Sequence, residues 1–210
     1  MKKDRQEVMT KKDIKIFFNR IKEGDFKQVS EILDSNSEFL NVRNFAPPKS
    51  EDGQSGLQVS FKTGNFEIAK LLLEKGADVN FMETSEFNEW TAPVLHDCIR
   101  ATLFNSYTFQ KDTKQFDKAF YLLKLMLRRN ANPNSTDSYG NNCLHRAILD
   151  ARQTLNNPNT DFKNDILIKQ LRSVFNELIN AGANIKQSEE KRESAEELYL
   201  SFQLDKYKLW

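Results

Sequence analysis

One string recurs three times along this chain and constrains its fold more than any single motif. The fullest copy is Leu71-Leu72-Leu73-Glu74-Lys75-Gly76-Ala77-Asp78-Val79-Asn80. A second copy runs Leu125-Met126-Leu127-Arg128-Arg129-Asn130-Ala131-Asn132-Pro133-Asn134, and a third Leu178-Ile179-Asn180-Ala181-Gly182-Ala183-Asn184-Ile185. Each is an apolar helix end, then Gly or Asn, then Ala and the polar start of a hairpin. A unit repeated in this way means stacked supersecondary modules rather than one globular core.

The units read as helix pairs. Ile14, Phe17, Phe18 and Ile21 recur at three- and four-residue steps, as on one face of a helix. Thr10 and Asp13 resemble a capping box, with Asp in place of the usual Glu or Gln. Gly24-Asp25 breaks this helix, and Phe26, Val29, Ile32 and Leu33 mark a second. The pattern returns at an offset of 40, pairing Gly24 with Gly64, Phe26 with Phe66 and Leu33 with Leu73. Gly64 supplies the tight turn, and Gly76 ends the returning helix, where a left-handed backbone suits glycine. Residues 41–53 contain Pro47-Pro48 and Asp52-Gly53, which is loop and turn chemistry.

The later units keep both ends and swell in the middle. Gln58 to Gly76 is 18 residues, but His96 to Asn130 is 34 and His145 to Gly182 is 37. Both insertions therefore fall between the two helices of a unit, around residues 104–114 and 156–160. Residues 102–109 and 151–155 are expected to lengthen the first helices. The predicted units are 12–41, 53–80, 90–134 and 139–185 of a single domain covering 1–210, closed by a polar helix over 191–207.

Hydrophobic residues make up 39% of the chain and charged ones 29%, a balance that suits a thin stack with much surface per residue. With 31 basic and 30 acidic residues, attraction to nucleic acid or to an anionic membrane is not expected. Runs such as Lys2-Lys3 and Lys11-Lys12 read as solvated surface. No apolar run approaches membrane-spanning length, and Met1 to Glu7 does not read as a secretory signal. Two cysteines, Cys98 and Cys143, do not make a disulfide framework. The expected setting is the cytoplasm, or a host cell reached without a cleavable signal peptide.

A further string precedes each first helix. It is Tyr139-Gly140-Asn141-Asn142-Cys143-Leu144-His145-Arg146-Ala147 in the fourth unit and Trp90-Thr91-Ala92-Pro93-Val94-Leu95-His96-Asp97-Cys98 in the third. The second unit has Asp52-Gly53-Gln54-Ser55-Gly56-Leu57-Gln58. Together with the Gly-Ala-Asp-Val-Asn ending, these strings resemble degraded ankyrin repeats over residues 14–200. No copy holds an intact Thr-Pro-Leu-His, Gln58 replaces the histidine in one unit, and spacings of 40, 54 and 52 replace a period of about 33. The resemblance implies an all-α ankyrin-repeat solenoid of stacked helix-turn-helix units with short hairpin loops. It also implies that His96 and His145 brace neighbouring hairpins through hydrogen bonds. Gly64, Gly76, Gly140 and Gly182 are the structural glycines of the repeat.

No catalytic or metal site emerges. His96-Asp97-Cys98 and Cys143-Leu144-His145 place two Cys and two His near one another in sequence. Residues two apart on a helix point about 200° away from each other, so one zinc does not take both. The same geometry disfavours Cys98 as a nucleophile with His96 as its base. Ser194-Ala195-Glu196-Glu197 reads as a solvated face, and no phosphate loop or nucleophile elbow is present. No cofactor is expected.

The predicted hairpins carry Phe45, Phe81, Phe87, Trp90 and Tyr139, with Glu83, Glu86 and Glu89 among the aromatics of one loop. The resemblance implies that hairpin tips and first helices line one concave face, where such rings supply contact area at low entropic cost. The expected function is non-catalytic binding of another protein by a monomer, with the acidic loop favouring a basic partner. An intracellular inhibitor or immunity protein is the leading form, and a host-directed effector or adaptor the alternative. A metal- or thiol-dependent enzyme built on the insertions is the remote alternative.

Overall fold

The computed structural model describes residues 9–45, 48–108, 111–158, 160, 162, 164–188 and 192–210. The charged N-terminus with Lys2-Lys3, and Pro47, Phe109, Asn159 and Lys191, lie outside the described residues. The helices are α1 (Lys11–Glu23), α2 (Phe26–Ser35), α3 (Gly56–Lys62), α4 (Phe66–Glu74) and α5 (Val94–Phe104). They continue with α6 (Lys114–Arg128), α7 (Cys143–Leu155), α8 (Ile166–Asn180) and α9 (Ala195–Ser201).

Packing follows a one-dimensional stack. The first helices α1, α3, α5, α7 and α9 each touch the next, as do the second helices α2, α4, α6 and α8. Within each unit the two helices pack on one another. The amphipathic faces read from the sequence are the buried ones: Ile14, Phe17, Phe18 and Ile21 of α1 lie against the core. Burial continues without a break from these residues to Leu209. The protein is therefore an all-helical solenoid, as its repeats require.

The recurring string explains how each unit ends. Gly76 and Gly182 take φ of 95° and 93°, and Asn130, standing in their place, takes 63°. Asn is the side-chain-bearing residue that most readily visits this region, which is why it substitutes there. The terminal Asn of a unit then ties it to the next. Asn41 Oδ1 accepts from Asp78 N–H at 2.9 Å, Asn80 Oδ1 from Asn132 N–H at 2.7 Å, and Asn134 Oδ1 from Asn184 N–H at 2.8 Å. Asn80 and Asn134 also donate to the carbonyls of Asn130 and Gly182, at 3.0 and 2.9 Å. The last letter of the repeated string is thus an inter-unit clamp.

Two expectations are corrected. The closing helix predicted over 191–207 is a seven-residue helix started by Ser194, then a turn and a short 3-10 segment at Asp205–Tyr207. Gln203 breaks it with φ of 54° so that Leu204 and Leu209 can turn inward and bury. The insertions also lengthen the second helices: α6 and α8 each have 15 residues against 9 in α4. α7 does extend through 151–155, whereas α5 stops at Phe104, where Asn105 and Ser106 bond back to Ala101 and Leu103.

Candidate recognition surface

Between units the chain rises into fingers, each closed at its root by a few backbone bonds. In the first, Asn44 N–H donates to Gln54 O at 2.8 Å. In the second, Glu83 N–H donates to Ala92 O at 3.1 Å and Val94 N–H to Phe81 O at 2.9 Å. In the third, Asp137 N–H donates to Asn141 O at 3.0 Å, and the Asp137 carboxylate accepts from the Tyr139 and Asn141 amides. Among the described residues only isolated antiparallel bridges form here, Arg43 with Ser55 and Met82 with Pro93.

The fingers are stitched sideways as well. Arg43 Nη1 donates to Met82 O at 2.9 Å, Ser85 Oγ to the Asp52 carboxylate at 2.7 Å, and Asn88 Nδ2 to Lys49 O at 2.7 Å. Ser138 N–H donates to Thr91 O at 2.9 Å. Gly53 sits so close to the second finger that a Cβ there would lie 1.9 Å from the Thr84 carbonyl oxygen. Residues on the tips are consequently presented by a braced array rather than by separate loops.

The structure sorts the expected contact residues into two groups. Of the rings, Phe87 and Tyr139 are the most exposed, at 61% and 67%, and Phe45 is exposed too. Trp90 is half-buried, its ring 5.2 Å from that of Tyr139 and tilted by 36°. Glu86 and Glu89 are exposed beside them. Lys49 lies over the Phe87 ring at 4.8 Å and Lys11 over Phe45 at 5.6 Å.

Phe81 and Glu83 are corrections, since both are buried. They belong to the finger root, where pairing with residues 92–94 turns their side chains toward the helices. Phe81 carries the Arg43 guanidinium over its ring at 4.4 Å. Glu83 lies between α3 and α5, so neither side chain offers surface to a partner.

Beneath the fingers runs a polar seam that grows from the helix starts. Thr10 with Asp13, Ser55 with Gln58, Asn142 with His145 and Ser194 with Glu197 all form reciprocal capping boxes. In each, the N-cap side chain accepts a backbone N–H and the third residue accepts the N-cap N–H. His145 Nδ1 takes the Asn142 N–H at 3.3 Å, which leaves its Nε2–H to donate to Glu193 O at 2.7 Å. His145 therefore braces the next hairpin as the resemblance implied.

His96 does not, which is a further correction. The N-cap of α5 is Pro93, with no N–H to give and no side-chain bond. Both His96 ring nitrogens are buried without a partner, and the nearest carboxylate, Asp137, is 3.9 Å away. Burial, together with the charges of Arg146 and Arg100, pulls its pKa down to about 3, so the ring is neutral.

Gln58, standing where a histidine was expected, has a double role that sequence reasoning missed. Besides closing the α3 capping box, its Nε2 donates to Glu83 at 3.3 Å and to Asp97 at 3.0 Å. Lys62 approaches Asp97 at 3.8 Å. Burial and then the neighbouring Asp97 charge push Glu83 up to about 7. Farther along, the buried Asp150 takes two bonds from Arg146, one of them from Nε at 2.8 Å. Burial still raises its pKa against the Arg146 charge. The available sequence signals were the Ser55-to-Gln58 spacing and the repeated terminal Asn; nothing in the sequence marks Glu83 as buried.

Cys98 and Cys143 are free and fully buried, and burial pushes both thiols up, so neither is poised as a thiolate nucleophile. Among the described residues no three His, Cys, Asp or Glu side chains gather in a metal-binding group. Among them, too, no helix is long and apolar enough to cross a membrane. A cleft of about 350 Å³ lies between α4 and α6, lined by Phe66, Tyr121 and Leu122 and rimmed by the 2.8 Å Lys118–Glu67 ion pair.

Comparison with known proteins agrees with this architecture. Residues 52–83, which span the first finger's end, α3, α4 and the root of the second finger, match the ankyrin repeat family. A Notch-regulated ankyrin repeat-containing protein A of Danio rerio is 37% identical over 67 residues, covering 31% of this chain and 55% of that protein. Its counterpart in Xenopus tropicalis is 36% identical over 67 residues, covering 31% and 54%. The chain thus spans about half the length of the curated relatives it matches.

Proposed function

We propose that this chain, an ankyrin-repeat protein by its fold and its matches, is a non-catalytic module that binds another protein through its finger tips. Ankyrin repeats generally mediate protein–protein interaction, and no helix among the described residues is suited to crossing a membrane. The observation that carries the reading is the row of exposed rings Phe45, Phe87 and Tyr139, with Trp90 behind, on laterally braced fingers. Exposed aromatics held at fixed positions give large contact area with little ordering cost, which is how binding hot spots are built.

Glu86 and Glu89 flank Phe87 and Trp90 against the one Lys49 ammonium over the Phe87 ring, and this acidic surplus in the second finger's loop favours a basic segment of the partner. The chain acts in this reading as one domain and a monomer, in the cytoplasm or inside a host cell. Inhibition of a toxin or enzyme is its leading use, with a host-directed effector or adaptor as the alternative. The test is affinity capture with the wild type and a Phe87→Ala/Trp90→Ala/Tyr139→Ala variant, compared by quantitative mass spectrometry. A partner retained equally by both would remove the fingers from the interface.

A further inference from the structure

We propose that Arg100, on the open side of the central first helix, receives an Asp or Glu carboxylate of the bound protein. The proposal rests on the fingers being the recognition surface and adds a requirement of opposite sign to it. The partner then offers a basic segment to the second finger and an acidic side chain to the helix below.

The position follows from packing. α5 has α3 on one side, α7 on the other, and α6 with the edge of α8 behind it. The remaining side has no helix over it, and the Arg100 side chain is 42% exposed there. Arg100 lies six residues beyond Val94 at the finger root, about 9 Å along the helix. The finger that leads into α5 is joined to the next one by the Ser138–Thr91 backbone bond and by the Trp90–Tyr139 ring contact. The cation therefore stands on the helix that carries one of the two joined aromatic fingers.

Its head group makes no hydrogen bond among the described residues. Nε is buried with no acceptor, and the nearest oxygen of Asp150 is 3.8 Å away, beyond hydrogen-bond length. Asp150 is already engaged, because Arg146 reaches both of its oxygens with a two-point fork. Asp97, one turn before Arg100, accepts from Gln58 at 3.0 Å and faces Lys62 at 3.8 Å. Elsewhere the chain's arginines find acceptors: Arg20 donates to Glu23, Arg43 to two carbonyl oxygens and Arg172 to two more. Arg100 holds the same planar set of donors, half out of water and unspent.

A guanidinium matches a carboxylate through two parallel N–H···O bonds, and arginine is enriched where binding energy concentrates. Charge selects the carboxylate over a phosphate. A doubly charged group at Arg100 meets the buried Asp97 and Asp150 on either side, whereas a single charge meets less repulsion and still takes two donors. With Glu86 and Glu89 on the finger and Arg100 below, the surface is dipolar, which fixes the direction in which a partner segment lies.

The experiment selects peptides from a random dodecapeptide library displayed on phage, using the immobilised full chain at low salt, and sequences what is retained. The wild type is expected to enrich peptides that hold an Asp or Glu at a fixed spacing from Lys or Arg. In Arg100→Gln the acidic enrichment falls to the level of the unselected library while the basic enrichment persists. The best wild-type peptide binds Arg100→Gln about tenfold or more weakly, and Arg100→Lys recovers part of the loss. Circular dichroism confirms that each variant is folded. A wild type that selects no acid-bearing peptide, or acidic enrichment that persists in Arg100→Gln, overturns the proposal. The Phe87→Ala/Trp90→Ala/Tyr139→Ala variant tests the fingers separately: if it keeps the same peptides, the fingers fail while the role of Arg100 stands.

Discussion

Replacing Pro93 by serine should stabilise the protein, because α5 is the one first helix without a capping box. In α3 and α9 the N-cap is serine, and Ser55 both accepts the Gln58 N–H at 3.2 Å and donates its own N–H to Gln58 Oε1 at 3.1 Å. Pro93→Ser offers His96 the same pair: an N–H for Nδ1, now buried without a partner, and an Oγ for the His96 amide. A serine N-cap contributes about 1 kcal/mol and a satisfied buried acceptor about another 1 kcal/mol. Losing the rigidity of proline in the unfolded chain costs roughly 0.4–1 kcal/mol. The net expectation is about 1–1.5 kcal/mol, or a Tm raised by roughly 2–6 °C for a chain of this size. Thermal and urea melts followed by circular dichroism read it, in both the wild-type and the His96→Ala backgrounds. Most of the gain should vanish without the imidazole, leaving roughly 0–0.6 kcal/mol, since only the Oγ half of the box then offsets the lost proline. An unchanged or lowered Tm, or a gain of the same size in His96→Ala, refutes the reasoning.

Glu83→Gln should stabilise the fold at pH 8 and do little at pH 4.5. The folded carboxyl keeps its proton to about 7, above its ordinary value of 4.5. Its contribution is therefore complete at low pH and lost as pH rises through 7, a difference of up to about 3 kcal/mol by linkage. Asn134→Ala removes both clamp bonds to the fourth unit and should cost about 1–2 kcal/mol, read by hydrogen exchange as lost protection in α7–α9 with α1–α3 unchanged. Gly53→Ala forces a left-handed backbone at φ 80° and drives a Cβ into the Thr84 carbonyl. It should cost at least about 1–2 kcal/mol and disturb the ring of Trp90, measured by melting and by tryptophan fluorescence.

The architecture was legible because it is written in local signals. Helix faces such as Ile14-Phe17-Phe18-Ile21 and helix ends such as Gly76 follow from backbone chemistry that acts within one turn. The contact residues were harder. Phe81 and Phe87 look alike in the sequence, six positions apart in one loop, yet one is buried at the root and the other stands at the tip. What separates them is the pairing of residues 81–83 with 92–94, a contact across the finger that no periodicity announces. His96 failed for a comparable reason. Its position matches His145, but the bond that gives the histidine its role depends on the N–H of residue 93, which proline removes. The closing segment misled because its polar run from 191 is interrupted by Gln203, whose positive φ serves the burial of Leu204 and Leu209.

The claim that the braced aromatic fingers recognise a protein is tested most directly by hydrogen exchange on the complex with whatever partner affinity capture returns. The account predicts new protection at residues 84–91 and 136–140, abolished when Phe87, Trp90 and Tyr139 are replaced by alanine. Protection confined to α4 and α6, around Phe66 and Tyr121, with the fingers exchanging as in the free protein, would contradict it.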